Sequence, residues 1–331
     1  MKKKILVIGG GSIGARHVEC FLGTGRAAVS LCEISDEVRA RVASSHDLSA
    51  TFASLDAAIA SGPDAAVICA PAHVHMSIAS QLVECGIPVL IEKPLSTSFD
   101  EASRFTRQLN RSGLASGVAF VYRSHPALQD MRRAIVENGE FGEVLQISVV
   151  AGQHFPFYRP AYREIYFTRH ETGGGLIQDM FPHLLNAVEW FAGPMSWVAA
   201  DADHLALEGI EVEDSLTVIG RHGRAMASYS MNLHQAANET IILMVCEKGT
   251  AKFEYGKNHW LATLSPEDEF SVRAKFDLER NDLFTNQANS FLDQQEKKAE
   301  ALCTVEEALT TLKTTLAVLR SSSPGGERID L

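Results

Sequence analysis

A glycine-rich turn set between a short apolar run and a helical stretch constrains this chain more than any other feature. Ile5-Leu-Val-Ile8 is aliphatic throughout and runs into Gly9-Gly-Gly11-Ser-Ile-Gly14. A strand that is apolar at every position is buried on both faces, as in a parallel sheet. Residues 12–22 then suit a helix. The pattern repeats: 28–32, 65–69 and 88–91 read as strands, while 36–44, 75–85 and 99–112 read as helices. Strands alternating with helices predict parallel βαβ units.

Beyond residue 120 the texture changes. Residues 125–138 form one amphipathic pattern closed by Gly139. Longer strand-like stretches follow at 143–152, 215–219, 225–233, 240–245 and 249–254, with a helical stretch at 182–191 among them. Their spacing and turns predict an antiparallel sheet. Helical patterns at 282–299 and 304–321 close the chain. A length of 331 residues also suits about two domains. The expected architecture is an α/β Rossmann domain over 1–120 and an α+β domain over 121–331, the latter with an open, mainly antiparallel sheet.

The formal net charge of −11 argues against a nucleic-acid partner, which would select a basic excess. The six cysteines are scattered and form no C-x-x-C pair, as expected of reduced thiols in a cytoplasmic protein. No apolar run approaches the ~18 residues that span a bilayer, so no membrane partner is expected. The opening lysines and Ile5–Ile8 are too short a pattern for a signal peptide, whose apolar region runs ~7–15 residues. No cluster has zinc-like spacing, so no metal is expected.

The glycine turn fits G-x-G-x-x-G. The pattern alone is weak, but here it follows a strand and opens a helix. Gly9 permits the tight turn, Gly11 lets the backbone approach a pyrophosphate, and Gly14 lets helix and strand pack closely. The helix start, with Ser12 and Ile13, offers free N–H donors and a positive dipole end. The bland alternative is a glycine turn with no ligand. Glu33 ends the second strand about twenty residues on, where a dinucleotide fold places an acid on the adenosine ribose. Its carboxylate would accept the 2′-OH and repel a 2′-phosphate, which favours NAD over NADP. The alternative is a solvated surface glutamate. Arg39 and Arg41 lie further on as weaker candidates for a 2′-phosphate.

Ile91-Glu92-Lys93-Pro94 stands where a buried strand ends, and ligands of such sheets bind beyond the carboxyl ends of strands. Lys93 there points toward a cofactor cleft, although a lysine elsewhere is usually just solvated. At this point the chain resembles the family of glucose–fructose oxidoreductase, inositol dehydrogenase and rhizopine-catabolism oxidoreductases (Gfo/Idh/MocA). The resemblance is carried by Gly9-Gly-Gly-Ser-Ile-Gly-Ala-Arg-His17, Ala70-Pro-Ala-His-Val-His75, Glu92-Lys-Pro94 and Gly173-Gly-Gly-Leu-Ile-Gln-Asp-Met-Phe-Pro-His183. Tyr122-Arg123-Ser-His-Pro126 is similar too, and the likeness spans essentially the whole chain. It implies that Lys93, Asp179 and His183 are the catalytic group. It also implies that Ala70, Pro71, His75, Glu92 and Lys93 line the dinucleotide. For His75 the alternative is a residue that only packs at a helix start.

Independently of the family, Asp179 and His183 stand at i and i+4 and share a face if both are helical. Pro182 complicates this, because proline belongs in a first turn, so the regular helix can begin there with Asp179 just before it. An aspartate that orients an imidazole makes a general base near neutrality. The alternative is a structural polar pair at a helix start. Many family members have glycine where this chain has Phe181 and aspartate where it has Asn186. The expectation is that Phe181 reshapes the pocket and Asn186 loses a charge.

Residues 153–170 are rich in aromatic and basic groups and could overhang a cleft or pack against a partner subunit. Candidate substrate residues are Tyr122, Arg123, His154, Arg159, Arg163 and Asn186. Aromatic faces suit sugar rings, and the arginines suit a carboxylate or phosphate. The expected activity is NAD-dependent hydride transfer at a carbinol carbon of a sugar, polyol, sugar acid or cyclitol, in a homodimer or homotetramer. Two alternatives stay open. One is an epimerase or glycosidase that oxidises its sugar transiently. The other is a non-catalytic dinucleotide-binding regulator.

Overall fold

The computed structural model describes residues 2–323 and 325–331. In chain order the first elements are β1 (Lys3–Ile8), α1 (Ser12–Gly23), β2 (Ala27–Cys32), α2 (Asp36–Ser45), β3 (Ala50–Phe52), α3 (Leu55–Ala60), β4 (Ala65–Ile68), α4 (His75–Glu84), β5 (Val89–Ile91), α5 (Phe99–Ser112) and β6 (Gly117–Val118). Then come α6 (Pro126–Arg132), β7 (Val144–His154), α7 (Phe155–Tyr158), α8 (Leu176–Asp179), α9 (Phe181–Ala192), β8 (Met195–Asp203), β9 (Ser215–His222), β10 (Ala225–Asn232), β11 (His234–Cys246), β12 (Gly249–Glu254), β13 (His259–Thr263) and β14 (Ser271–Lys275). The chain ends with α10 (Asp282–Gln295), α11 (Val305–Ser321) and β15 (Ile329–Asp330).

Contacts divide the chain into two units. The first comprises Met1–Ser124 with Glu279–Leu309, and the second His125–Leu278 with Thr310–Leu331. The segment Glu279–Leu309 thus groups with the N-terminal residues, where sequence reading drew a single break after residue 120.

The first unit is a six-stranded sheet in the order β3-β2-β1-β4-β5-β6, with every neighbouring pair parallel. The order reverses between β1 and β4, which is the switch point of a doubly wound fold. Ile5, Val7, Val29, Leu31, Ala65 and Val67 are buried in one core with α1, as unbroken apolar strands require. The helix α10 completes that core: Phe291 meets Phe21 of α1 edge-on at 6.2 Å. The strands β3 and β6 and the short α3 were not anticipated, because runs this brief carry little periodicity.

The second unit is built on a nine-stranded sheet in the order β14-β13-β12-β11-β7-β10-β9-β8-β15. Its pairs are antiparallel except β10 with β7. Burial alternates along β10 and along the second half of β11, so each strand turns one face to the core. The amphipathic stretch expected as one helix over 125–138 is α6 followed by a π-helical turn at Arg133–Glu137.

Candidate active site

In the first unit the glycine turn joins β1 to α1. Gly9 has φ +98°, and a Cβ there would lie 2.7 Å from the Cys69 carbonyl oxygen. A Cβ at Gly14 would lie 1.9 Å from the Gly9 carbonyl oxygen, so only glycine lets α1 close onto the turn. At Gly11 a Cβ would meet nothing within 4 Å, and the turn is open on that side. The first bond of the α1 ladder runs from Ala15 N–H to Gly11 O. The amides of Ser12, Ile13 and Gly14 therefore precede the ladder and face out of the helix end, and no acidic residue occupies the first turn. This end fits the pyrophosphate of a dinucleotide.

Glu33 follows β2 and reaches back over the turn. Gly10 N–H donates to its Oε2 at 2.6 Å, and Ser35 N–H donates to its Oε1 at 2.8 Å. Two amides fix the carboxylate, and a carboxylate with about four acceptor directions retains capacity for ribose hydroxyls. Arg39 donates to the Glu33 carbonyl and pairs with Asp36, which draws its guanidinium toward its own helix start.

His75 is fully buried at the start of α4. Its Nε2 lies 2.7 Å from Ala70 O and its Nδ1 3.0 Å from Pro94 O. Burial pushes the imidazole pKa down, against the two carbonyls, which favour a charged ring. A neutral ring donates to one carbonyl at a time, and His75 tethers the segments that follow β4 and β5. This corrects its assignment as a residue lining the dinucleotide.

Glu92 is corrected in the same way. It is buried, with Oε1 2.7 Å from Nε2 of the fully buried His17 and Oε2 accepting the Lys93 N–H at 3.0 Å. Its carboxylate holds the turn from beneath. Lys93 itself is half-buried and precedes a cis peptide bond to Pro94.

In the second unit, Asp179 ends the short α8, Met180 breaks the helix, and α9 begins at Phe181 with Pro182 in its first turn. The proline thus sits where its missing N–H costs no helical bond. His183 follows in that turn, its N–H donating to Met180 O at 3.2 Å. Tyr166, from the segment before α8, donates its hydroxyl to Asp179 Oδ1 at 2.9 Å. Sequence reasoning missed Tyr166; the one available signal was the density of aromatics in 153–170.

That segment is built into the second unit by several ties. Phe155 packs on Phe167 with ring centroids 4.6 Å apart. Tyr162 donates to Glu208 O at 2.7 Å, and Gln178 Nε2 donates to His170 O at 2.8 Å. Glu213, buried between them, accepts the Ile177 N–H at 2.8 Å and faces His170 Nε2 at 2.6 Å. The hydrogen bond to Glu213 raises the His170 pKa above its ordinary value. Phe157, Tyr158 and Tyr166 remain exposed.

The candidate substrate residues separate. Arg159 and His154 are exposed and Tyr122 half-buried. Arg163 donates to Glu208 O at 2.8 Å and lies over the Tyr162 ring, so its guanidinium is part of the segment's own anchoring. Arg123 is buried and donates to Leu302 O at 3.0 Å and to Glu307 Oε1 at 2.6 Å. Asn186 is fully buried and donates to Thr311 Oγ1 at 2.9 Å. These last two are structural groups, which corrects their assignment to substrate. Phe181 is fully buried and meets the Tyr229 ring edge-on at 5.3 Å.

Two family sequence profiles match the chain. One, described as "Oxidoreductase family, NAD-binding Rossmann fold", covers residues 3–120, and the "GFO/IDH/MocA C-terminal domain" covers residues 130–252. Inositol 2-dehydrogenase of Corynebacterium glutamicum (strain R) is 28% identical over 265 residues, which is 75% of this chain and 73% of that protein. UDP-N-acetylglucosamine 3-dehydrogenase of Acidithiobacillus ferrooxidans is 30% identical over 135 residues, 39% of this chain and 40% of its own. Among solved structures, levoglucosan dehydrogenase in complex with NADH superposes with a TM-score of 0.90 at 16% identity, covering 100% of this chain and 99% of that one. The WlbA dehydrogenase of Bordetella pertussis, in complex with NADH and UDP-GlcNAcA, gives 0.83 at 23% identity, covering 100% and 99%. The glycine turn with its helix end, the Glu-Lys-Pro turn and the Asp179–His183 segment therefore belong to a member of the NAD-binding Gfo/Idh/MocA oxidoreductase family.

Proposed function

We propose that this chain moves a hydride reversibly between NAD and a carbinol carbon of a sugar, sugar acid or cyclitol, with Lys93, Asp179 and His183 as its catalytic group. The observation that supports this most directly is the first turn of α9. There His183 stands four residues after Asp179, across the break at Met180, and Asp179 accepts the Tyr166 hydroxyl at 2.9 Å. An aspartate that orients an imidazole suits proton transfer from a hydroxyl.

The Gly9–Gly14 turn, the amides of Ser12 and Ile13, and Glu33 would hold the dinucleotide. When bound, NAD supplies the hydride acceptor, which no side chain can replace. In the oxidative direction His183 accepts the hydroxyl proton, Asp179 orients the ring and steadies its charge, and the Lys93 ammonium stabilises the developing alkoxide. The exposed rings of Phe157, Tyr158 and Tyr166 and the Arg159 guanidinium supply stacking surface and one positive group near Asp179 in sequence, which suits a sugar or sugar acid.

The test is NADH formation at 340 nm across a panel of polyols, aldoses and uronic acids. With the best substrate, His183→Ala and Lys93→Ala should each lower kcat by about 10²–10⁴-fold. NADH binding, followed by fluorescence, should survive in both. Near-normal turnover in both variants would remove the catalytic assignment, and silence of the wild type across the panel would remove the substrate class.

A further inference from the structure

His17 lies one turn beyond Gly14 in α1 and is fully buried. Its Nε2 contacts Glu92 Oε1 at 2.7 Å. Its Nδ1 is buried with no hydrogen-bond partner among the described residues. The ring meets Phe284 edge-on at 5.7 Å and lies 6.3 Å from Phe21. A phenylalanine or leucine would fill such surroundings without orphaning a polar atom, and an orphaned buried nitrogen costs stability. What histidine adds here is one directed N–H.

That N–H acts on the turn carrying Lys93. Nε2–H donates to Glu92 Oε1, and Glu92 Oε2 accepts the backbone N–H of Lys93 at 3.0 Å. A carboxylate bonded to the amide of the next residue fixes the direction of the peptide plane between them, and hence where the lysine side chain sets out. The His17 N–H on the far oxygen favours the Glu92 rotamer that brings Oε2 onto that amide. The contact joins the helix that opens the dinucleotide turn to the residue carrying the ammonium.

We propose that His17 is a positioning residue: through Glu92 it fixes the backbone from which Lys93 presents its ammonium. The proposal rests on Lys93 being the charged group of the reaction, and its test separates the two ideas. Glutamine can place its amide nitrogen near the position of Nε2, whereas asparagine places its own near Nδ1 and falls short of Glu92. His17→Gln and His17→Asn are therefore compared in the full chain. The lysines are reductively ¹³C-methylated, and the Lys93 resonance is assigned by its loss in Lys93→Arg. Melting temperature, NADH affinity, kcat and KM are measured beside it, with the substrate found in the panel.

The expected result for His17→Asn is a displaced Lys93 resonance and a kcat lowered at least tenfold, with KM and NADH affinity within threefold of wild type. His17→Gln should restore both readouts to within threefold. Glu92→Ala serves as a second route should the asparagine variant not fold. Its methyl can bond neither His17 nor the Lys93 amide, so the Lys93 resonance should again move. The proposal is overturned if the resonance and kcat stay as in wild type, or if Gln and Asn at position 17 lose activity equally. If Lys93→Ala is inactive while His17→Asn is normal, the inference about His17 fails alone. If Lys93→Ala is active, the role of Lys93 falls and this inference with it.

Discussion

At the scale of single residues, the glycines of the turn have separable duties. A methyl on Gly14 would overlap the Gly9 carbonyl at 1.9 Å, backbone against backbone, and neither atom can yield without moving α1 or β1. A methyl on Gly11 would enter open space. Gly14→Ala should therefore lower the melting temperature by several degrees, equivalent to about 1–3 kcal/mol of overpacking. Gly11→Ala should leave the melting temperature within about a degree and weaken NADH binding at least tenfold, because its added methyl would stand where the pyrophosphate approaches. Equal melting temperatures for the two variants would show that the close approach at Gly14 is relieved at little cost.

At the scale of elements, Glu213 fastens the segment before α8. One oxygen accepts the Ile177 N–H at the start of α8, and the other pairs with His170. The partner raises the His170 pKa, so protonated His170 contributes to the fold fully below about 6.5. That contribution fades as pH rises through the raised folded value. Protection factors for 162–172, which are hydrogen-exchange rates divided into the intrinsic rate at each pH, should fall in that higher range. In Glu213→Gln, which cannot form the ion pair, they should be low at every pH. A Glu213→Gln profile whose protection still rose on acidification would place the titration elsewhere.

The same elements mark what sequence could and could not reveal. The helices at 36–45 and 99–112 were legible almost to the residue because Ser35 and Ser98 cap them, and that at 75–84 because its apolar periodicity is strong. So was the glycine turn, since its roles are local. The start of α9 beside the proline, with Asp179 just before it, followed from the fixed φ of Pro182. The functions of Arg123, Asn186, Glu92 and Phe181 were not, because each is decided by what lies opposite. Arg123 meets Glu307, Asn186 meets Thr311, Glu92 meets His17 and Phe181 meets Tyr229. These partners are remote in sequence, and nothing in composition or spacing points to them. Tyr166 was hidden differently: it stood among many aromatics, and only the hydrogen bond to Asp179 singles it out.

At the scale of the whole molecule, two buried histidines make stability depend on acidity. His222 donates Nδ1–H to Gly193 O at 2.7 Å, and its Nε2 accepts the Tyr229 hydroxyl at 3.0 Å. His125 caps α6, its Nδ1 accepting the Ala127 N–H at 3.2 Å while Nε2 faces Asn258 Oδ1 at 3.4 Å. Each ring uses one nitrogen as an acceptor, so a second proton would break a hydrogen bond as well as charge a buried group. Burial lowers both pKa values to about 4. Between that value and the ~6.5 of an unfolded chain, the unfolded state binds protons that the native state refuses. Stability therefore falls as pH drops through this window, by up to about 3 kcal/mol for each histidine. His125→Asn keeps a capping oxygen and removes one titration. It should cost stability at pH 7.5, where the ring's edge contact with Phe253 at 4.9 Å is lost. Between pH 6 and 5 its unfolding free energy from urea titration should fall less steeply than that of wild type, by about 1.4 kcal/mol per pH unit. Parallel slopes for the two proteins would mean that His125 already carries its proton in the native state.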